Sequence, residues 1–176
     1  KPIQRIGLID YGMGNLHSVQ TSFNRLGQPL VQVRNPQDLE SCDALILPGV
    51  GAFDPAMEKL HSSELVQHLR SWHNSKRPLL GICLGLQLLF ERSEEGKAEG
   101  LGLFAGAVQR LPDQQSERIP HMGWGQLKPQ QPCPLLPEGN AQPWVYFVHS
   151  YAAVPNHTSD LAATVAFGQG EATAMV

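Results

Sequence analysis

Blocks of apolar and polar residues follow one another along the first half of the chain, and they predict strands that alternate with helices. Short apolar runs typical of buried strands occupy residues 5–10, 30–34, 44–47 and 78–80. Between them, apolar residues at helical spacing predict one helix over residues 16–26 and another from Asp54 to Lys76. Such alternation is typical of a mostly parallel sheet whose two faces are covered by helices.

The pattern changes beyond residue 102, where proline-rich turns separate short apolar runs. These runs span residues 104–111, 119–127, 144–153 and 172–176. Short strands joined by turns indicate antiparallel pairing. The predicted fold class is therefore α/β, a mostly parallel central sheet with an antiparallel extension.

Composition indicates the general class of protein but not its function. The 176 residues are 41% hydrophobic and 16% charged, which fits one globular domain. The net charge of −3 and the lack of basic blocks predict no nucleic-acid or membrane partner. Cys42, Cys83 and Cys133 are odd in number and widely spaced, so they indicate neither a disulfide framework nor a zinc site, and we expect a reducing cytoplasm.

One cysteine stands out because it lies between two glycines, where an apolar strand turns into an apolar helix. In residues 81–85 (GICLG), Gly81 and Gly85 remove side chains that would clash in a sharp turn around Cys83. We expect the following helix to run from Leu84 through Arg92, with the thiol at its N-terminus, where thiolate is favoured. The alternative is a cysteine that packs as a small core residue.

A second glycine turn follows the strand at residues 44–47. Residues 48–51 (PGVG) can point consecutive backbone N–H groups towards an anion, although taken alone they are better explained as an ordinary strand-to-helix connection. A thiol elbow together with an amide-rich loop supplies the nucleophile and the oxyanion donors that acyl transfer needs.

Five segments together identify a family resemblance. They are residues 10–19 (DYGMGNLHSV), 48–53 (PGVGAF), 81–90 (GICLGLQLLF), 119–124 (IPHMGW) and 146–151 (YFVHSY). With them the chain resembles the class I (triad) glutamine amidotransferases, and within these the glutaminase subunits of imidazole glycerol phosphate synthase from histidine biosynthesis. The resemblance implies a three-layer, flavodoxin-like fold and a single glutamine amidotransferase domain over residues 1–176.

The resemblance also implies roles for individual residues. Cys83 is the expected nucleophile. The expected oxyanion hole comprises Val50, Gly51 and Leu84. The expected glutamine contacts are Gly49, Gly51, Gln87, His149, Ser150 and Tyr151. The expected contacts with a partner are Asn15, Met122 and Trp124. That partner is a (β/α)8 cyclase subunit in a heterodimer, and neither a metal nor an organic cofactor is implied.

The catalytic base is the main departure from the family pattern. The family carries its base and orienting carboxylate in a His-Pro-Glu motif, which does not occur in these residues. We expect that the domain lacks its C-terminal end in this sequence. From the residues alone His149 is the candidate base, whereas the resemblance assigns it to the glutamine pocket and His121 to the partner-facing side.

Two other functions compete with this one. The chain could be the glutaminase of another synthase, such as that for pyridoxal phosphate, against which the segments at 119–124 and 146–151 argue. It could also be a non-catalytic subunit that docks on a partner, since the His-Pro-Glu motif is missing.

Overall fold

The computed structural model describes residues 3–139 and 141–176. These described residues fall into two compact units, divided between residues 103 and 104. The strands of the first unit are β1 (Ile6–Ile9), β2 (Leu30–Val33), β3 (Ala44–Leu47), β4 (Leu79–Gly81) and β5 (Phe90–Ser93). Its helices are α1 (Leu16–Arg25), α2 (Phe53–Ser62), α3 (Leu65–Asn74) and α4 (Leu84–Gln87).

Four strands of the first unit form a parallel sheet in the order β2-β1-β3-β4. Ile6 pairs with Leu30 on one side and with Ala44 on the other. All four residues of β3 are buried, as a strand covered on both faces requires. The carboxyl ends of β1, β3 and β4 therefore meet at one edge of this sheet.

The predicted helix from Asp54 to Lys76 is two helices. Glu64 interrupts it with a left-handed backbone (φ 59°). The Ser63 hydroxyl donates to the Lys59 and Leu60 carbonyls, and the Ser63 N–H also donates to the Lys59 carbonyl. This local competition by serine ends the first helix, although the apolar spacing continues through the break.

The helix predicted from Leu84 through Arg92 is also wrong in length. It ends after one turn, and Phe90–Ser93 is a strand with its two end residues buried and its two central residues exposed. The N–H groups of Gly100 and Gly102 donate to the carbonyls of Glu91 and Phe90. A run of leucines fits a buried helix and a buried strand equally well, and these backbone bonds decide between the two.

The second unit is antiparallel. Its strands are β6 (Phe104–Arg110), β7 (His121–Pro129), β8 (Trp144–His149), β9 (Tyr151–Pro155), β10 (Ala163–Phe167) and β11 (Gly170–Met175). One sheet has the order β11-β10-β7-β8, and β6 pairs with β9. The apolar run at 144–153 is divided at Ser150 into β8 and β9.

The core of this second unit includes side chains from several strands. One cluster of buried side chains in it comprises Leu111, Ala152, Val165, Phe167 and Ala172. The predicted α/β class, with a parallel sheet followed by antiparallel strands, is confirmed.

Candidate active site

Cys83 occupies the turn between β4 and α4. Its backbone has φ 57° and ψ −121°, and its side chain is exposed. A left-handed conformation at a residue other than glycine costs about 1–3 kcal/mol and persists only where the surroundings impose it. The combination of a strained turn and an exposed side chain is the geometry of a nucleophile elbow.

Both flanking glycines are required by this turn. A Cβ at Gly81 would lie 2.7 Å from the Cα of Leu86. One at Gly85 would overlap the carbonyl oxygen of Leu47. Since both obstacles are backbone atoms, neither can move aside, and the glycine spacing read from the sequence is explained by the close approach of β3, β4 and α4.

The backbone N–H group nearest in sequence to the thiol is that of Leu84, the first residue of α4. The N–H of Leu84 donates to no acceptor within residues 3–139 and 141–176, while the next N–H, of Gly85, bonds to the Ile82 carbonyl at 2.9 Å. The sequence predicted a long helix behind Cys83. A helix of one turn has a correspondingly small macrodipole, so the local Leu84 N–H is the main donor that the elbow offers.

The PGVG loop after β3 lies directly against the elbow. A Cβ on Gly49 would be 2.8 Å from the Gly85 nitrogen and 2.9 Å from the Leu84 Cβ. Gly51 has φ +97°, and Val50 is half exposed. In the described part of the chain, the N–H groups of residues 49–51 donate to no acceptor. The structure thus brings the predicted nucleophile together with a set of unpaired backbone donors.

Tyr11 is a member of this site that the sequence did not single out. It is 5% exposed, and its hydroxyl donates to the Pro48 carbonyl at 2.7 Å. Burial raises the pKa of the Tyr11 phenol, and the negative charge of a nearby Cys83 thiolate raises it further, so the phenol is a donor at neutral pH. Its place after β1, at the edge where β3 and β4 also end, is the signal that could have found it.

In the second unit, His149 has both ring nitrogens engaged. Nδ1 donates to the Tyr151 carbonyl at 2.9 Å, so the neutral ring accepts at Nε2 from Nδ1 of His121, also at 2.9 Å. Burial, the larger effect, and the neighbouring His121 lower the pKa of His149. These bonds are those of a structural histidine pair and argue against His149 as a general base.

The remaining predicted residues lie in both units. Gln87 ends α4 and is partly buried. Ser150 is partly buried between β8 and β9. Asn15 is exposed and caps α1, its side chain accepting from the Ser18 N–H at 3.2 Å.

Met122 and Trp124 lie on the exposed face of β7, 61% and 67% exposed. Opposite them in the register lie Val148 and Tyr146 of β8, which are also exposed. Trp124 is therefore a surface residue of its sheet and not part of the core.

Neither a metal cluster nor a membrane-crossing helix is found in the residues that the structure describes. Within 3–139 and 141–176, no group of three or more His, Cys, Asp or Glu side chains could hold a metal ion. No helix in the same residues has the length and apolarity needed to cross a bilayer.

Comparison with known proteins identifies the family. The profile described as glutamine amidotransferase class-I matches residues 7–175. The chain belongs to the class-I glutamine amidotransferases. The match extends through both compact units, and Cys83 with its elbow and the PGVG loop lies inside it.

Two relatives place the chain more finely within the class-I glutamine amidotransferases. Imidazole glycerol phosphate synthase subunit HisH of Synechococcus sp. (strain CC9902) is 63% identical over 171 residues, which are 97% of this chain and 80% of that protein. Subunit HisH 2 of Prochlorococcus marinus (strain MIT 9313) is 64% identical over 174 residues, 99% of this chain and 82% of that protein. The chain thus spans about four fifths of the length of these relatives.

A solved structure supports the same fold independently of close sequence similarity. A crystal structure of a glutamine amidotransferase superimposes with a TM-score of 0.71 at 19% identity, over 97% of this chain and 89% of that one. At this identity the agreement concerns the fold alone.

Proposed function

We propose that this protein is the glutaminase subunit of imidazole glycerol phosphate synthase and that Cys83 is its nucleophile. The observation that carries the proposal is the exposed, strained Cys83 beside the N–H groups of Leu84 and residues 49–51, which have no acceptor among the residues that the structure describes. The names of its HisH relatives supply the synthase.

The reaction follows from this arrangement. The Cys83 thiolate attacks the side-chain amide carbon of glutamine, a C–S bond forms, and the carbonyl electron pair moves to the oxygen. The N–H of Leu84 and those of Val50 and Gly51 stabilise this oxyanion, each by a few kcal/mol. When the carbonyl re-forms, the amide nitrogen takes a proton and leaves as ammonia. Water then hydrolyses the glutamyl thioester to glutamate and restores the thiol.

Glutamine binding and proton transfer involve further residues. Gly49, Gly51, Gln87 and the segment 149–151 are the proposed glutamine contacts, on the strength of the family motifs. The family's base and orienting carboxylate have no counterpart in these 176 residues, which contain no His-Pro-Glu. His149, with its two nitrogens already bonded, does not replace that base.

The proposed recipient of ammonia is a (β/α)8 cyclase subunit. Asn15 in the first unit and Met122 and Trp124 in the second are its proposed contacts, since exposed methionine and tryptophan are enriched at protein interfaces. We also propose a cytoplasmic location, because the reaction needs a reduced thiol and a reducing compartment preserves one.

Partner specificity tests this function against its two alternatives. The complete protein is combined with the cyclase of imidazole glycerol phosphate synthase or with the synthase subunit for pyridoxal phosphate from the same organism, and glutamate release is measured. We expect release only with the cyclase, and its loss in Cys83→Ala but not in the matched Cys42→Ala variant. Release only with the second partner would assign another synthase, and binding of the cyclase without any release would indicate a docking subunit.

A further inference from the structure

The Tyr11 hydroxyl contacts the loop that carries the proposed oxyanion donors. The phenol donates to the carbonyl of Pro48, 37 positions along the chain, at 2.7 Å. A buried hydroxyl with a single short bond to a backbone carbonyl fixes the direction of that carbonyl, because breaking the bond would leave both groups unsatisfied.

Fixing this carbonyl also fixes the next N–H. The Pro48 carbonyl and the Gly49 N–H belong to one planar trans peptide and point in opposite directions. Gly49 is enclosed as well, since a Cβ there would lie 2.9 Å from the Tyr11 oxygen and 2.8 Å from the nitrogen of Gly85. The start of the loop is therefore held between Tyr11 on one side and the cysteine elbow on the other.

The other half of the loop has no such support. Val50 is half exposed, and the neighbour nearest to a Cβ on Gly51 would be the flexible tip of Met13, at 3.2 Å. Neither residue's N–H donates within the described chain. The loop thus has a fixed first peptide and an adaptable end.

We propose that Tyr11 is a positioning residue of the glutaminase reaction, whose phenol holds the Pro48–Gly49 peptide so that Val50 and Gly51 present their N–H groups to the oxyanion formed at Cys83. The proposal rests on the function proposed above. In this role Tyr11 acts through the Pro48 carbonyl and not directly on the reacting atoms.

Tyr11→Phe tests this role, because it keeps the ring and removes only the donor. In the complete protein with its cyclase, we expect kcat for glutamine to fall roughly tenfold to hundredfold, less than for direct loss of an oxyanion donor, while KM stays unchanged. Ser22→Ala is the matched control, since it also removes a hydroxyl that donates to a backbone carbonyl (Ser18, 2.9 Å) and lies outside the site. It should leave kcat unchanged.

Two electrophiles separate positioning from a general structural effect. The thiolate adds to the carbonyl of an aldehyde analogue of glutamine, forming a C–S bond and an alkoxide that takes a proton, so this adduct uses the oxyanion donors. Alkylation by iodoacetamide displaces iodide at carbon and creates no oxyanion. Tyr11→Phe should weaken aldehyde inhibition by the same factor as kcat and leave the alkylation rate of Cys83 unchanged.

Two results would overturn the proposal. One is an unchanged kcat in Tyr11→Phe. The other is a Tyr11→Phe variant in which aldehyde inhibition and the alkylation rate of Cys83 fall by the same factor. If the phenylalanine variant does not fold, 4-aminophenylalanine at position 11 provides a weaker donor on the same ring. A smaller decrease in kcat for glutamine and in aldehyde inhibition, with an unchanged alkylation rate, supports the role. An unchanged kcat contradicts it. An unmodified protein that releases no glutamate would instead overturn the function itself.

Discussion

At the scale of single residues, the three cysteines differ in their exposure to solvent. Cys83 is exposed, whereas Cys42 is 3% exposed and burial raises the pKa of its thiol. Cys133 lies half-buried between two prolines. A glutamine-like electrophile should therefore label Cys83 alone in the complete protein, and glutamine should protect it. Peptide mass spectrometry measures this, and equal labelling of Cys42 or Cys133 without protection would remove Cys83 as the nucleophile.

His149 makes stability depend on pH in a defined direction. Because its pKa is lowered in the folded state, the unfolded chain takes up a proton first as pH falls below about 6.5. The stabilisation is fully present above that pH and is lost as pH falls towards the folded-state pKa. Urea unfolding at several pH values should show this decline, and His149→Gln should reduce it. The matched control is His157→Gln at an exposed histidine, and an identical decline in both variants would refute the assignment.

At the scale of elements, the elbow depends on the absence of a side chain at Gly85. Alanine there would drive a Cβ into the Leu47 carbonyl, so Gly85→Ala should lower the free energy of unfolding by about 1–3 kcal/mol and displace Cys83. Gly170→Ala is the control, since the nearest atom to its Cβ would be 4.0 Å away and its φ is not positive. Denaturant unfolding compares the two variants, and equal stability would contradict this account by showing that α4 can move away from β3 to admit the methyl group.

Some elements of the site could be predicted from the sequence, and others could not. The glycines at 81 and 85 predicted the elbow because a cysteine between two glycines at a strand-to-helix boundary is visible within five residues, although the Leu47 carbonyl that excludes a side chain at Gly85 is distant in sequence. The predicted length of α4 was wrong because Phe90–Ser93 is a strand. The backbone hydrogen bonds that hold this strand come from Gly100 and Gly102, and no local sequence pattern reveals them. Tyr11 was missed for the same reason, since its partner Pro48 is distant in sequence.

At the scale of the whole molecule, the proposed heterodimer depends on the exposed face of β7. Trp124→Ala should weaken cyclase binding by about 1–4 kcal/mol without changing stability, because the side chain is 67% exposed. Gln126→Ala, on the same exposed face, is the control and should leave cyclase binding nearly unchanged. Titration calorimetry and thermal unfolding measure the two effects; normal binding with early unfolding would show that Trp124 serves the fold and not the interface.

The central claim, that Cys83 supplies ammonia to a cyclase, is tested most directly by comparing two nitrogen sources. In the complete complex, Cys83→Ala should lower glutamine-dependent formation of imidazole glycerol phosphate by roughly three orders of magnitude or more, as loss of a covalent nucleophile does. Formation from added ammonia should be unchanged, because the cyclase then needs no glutaminase. A variant that keeps its glutamine-dependent activity would contradict the account.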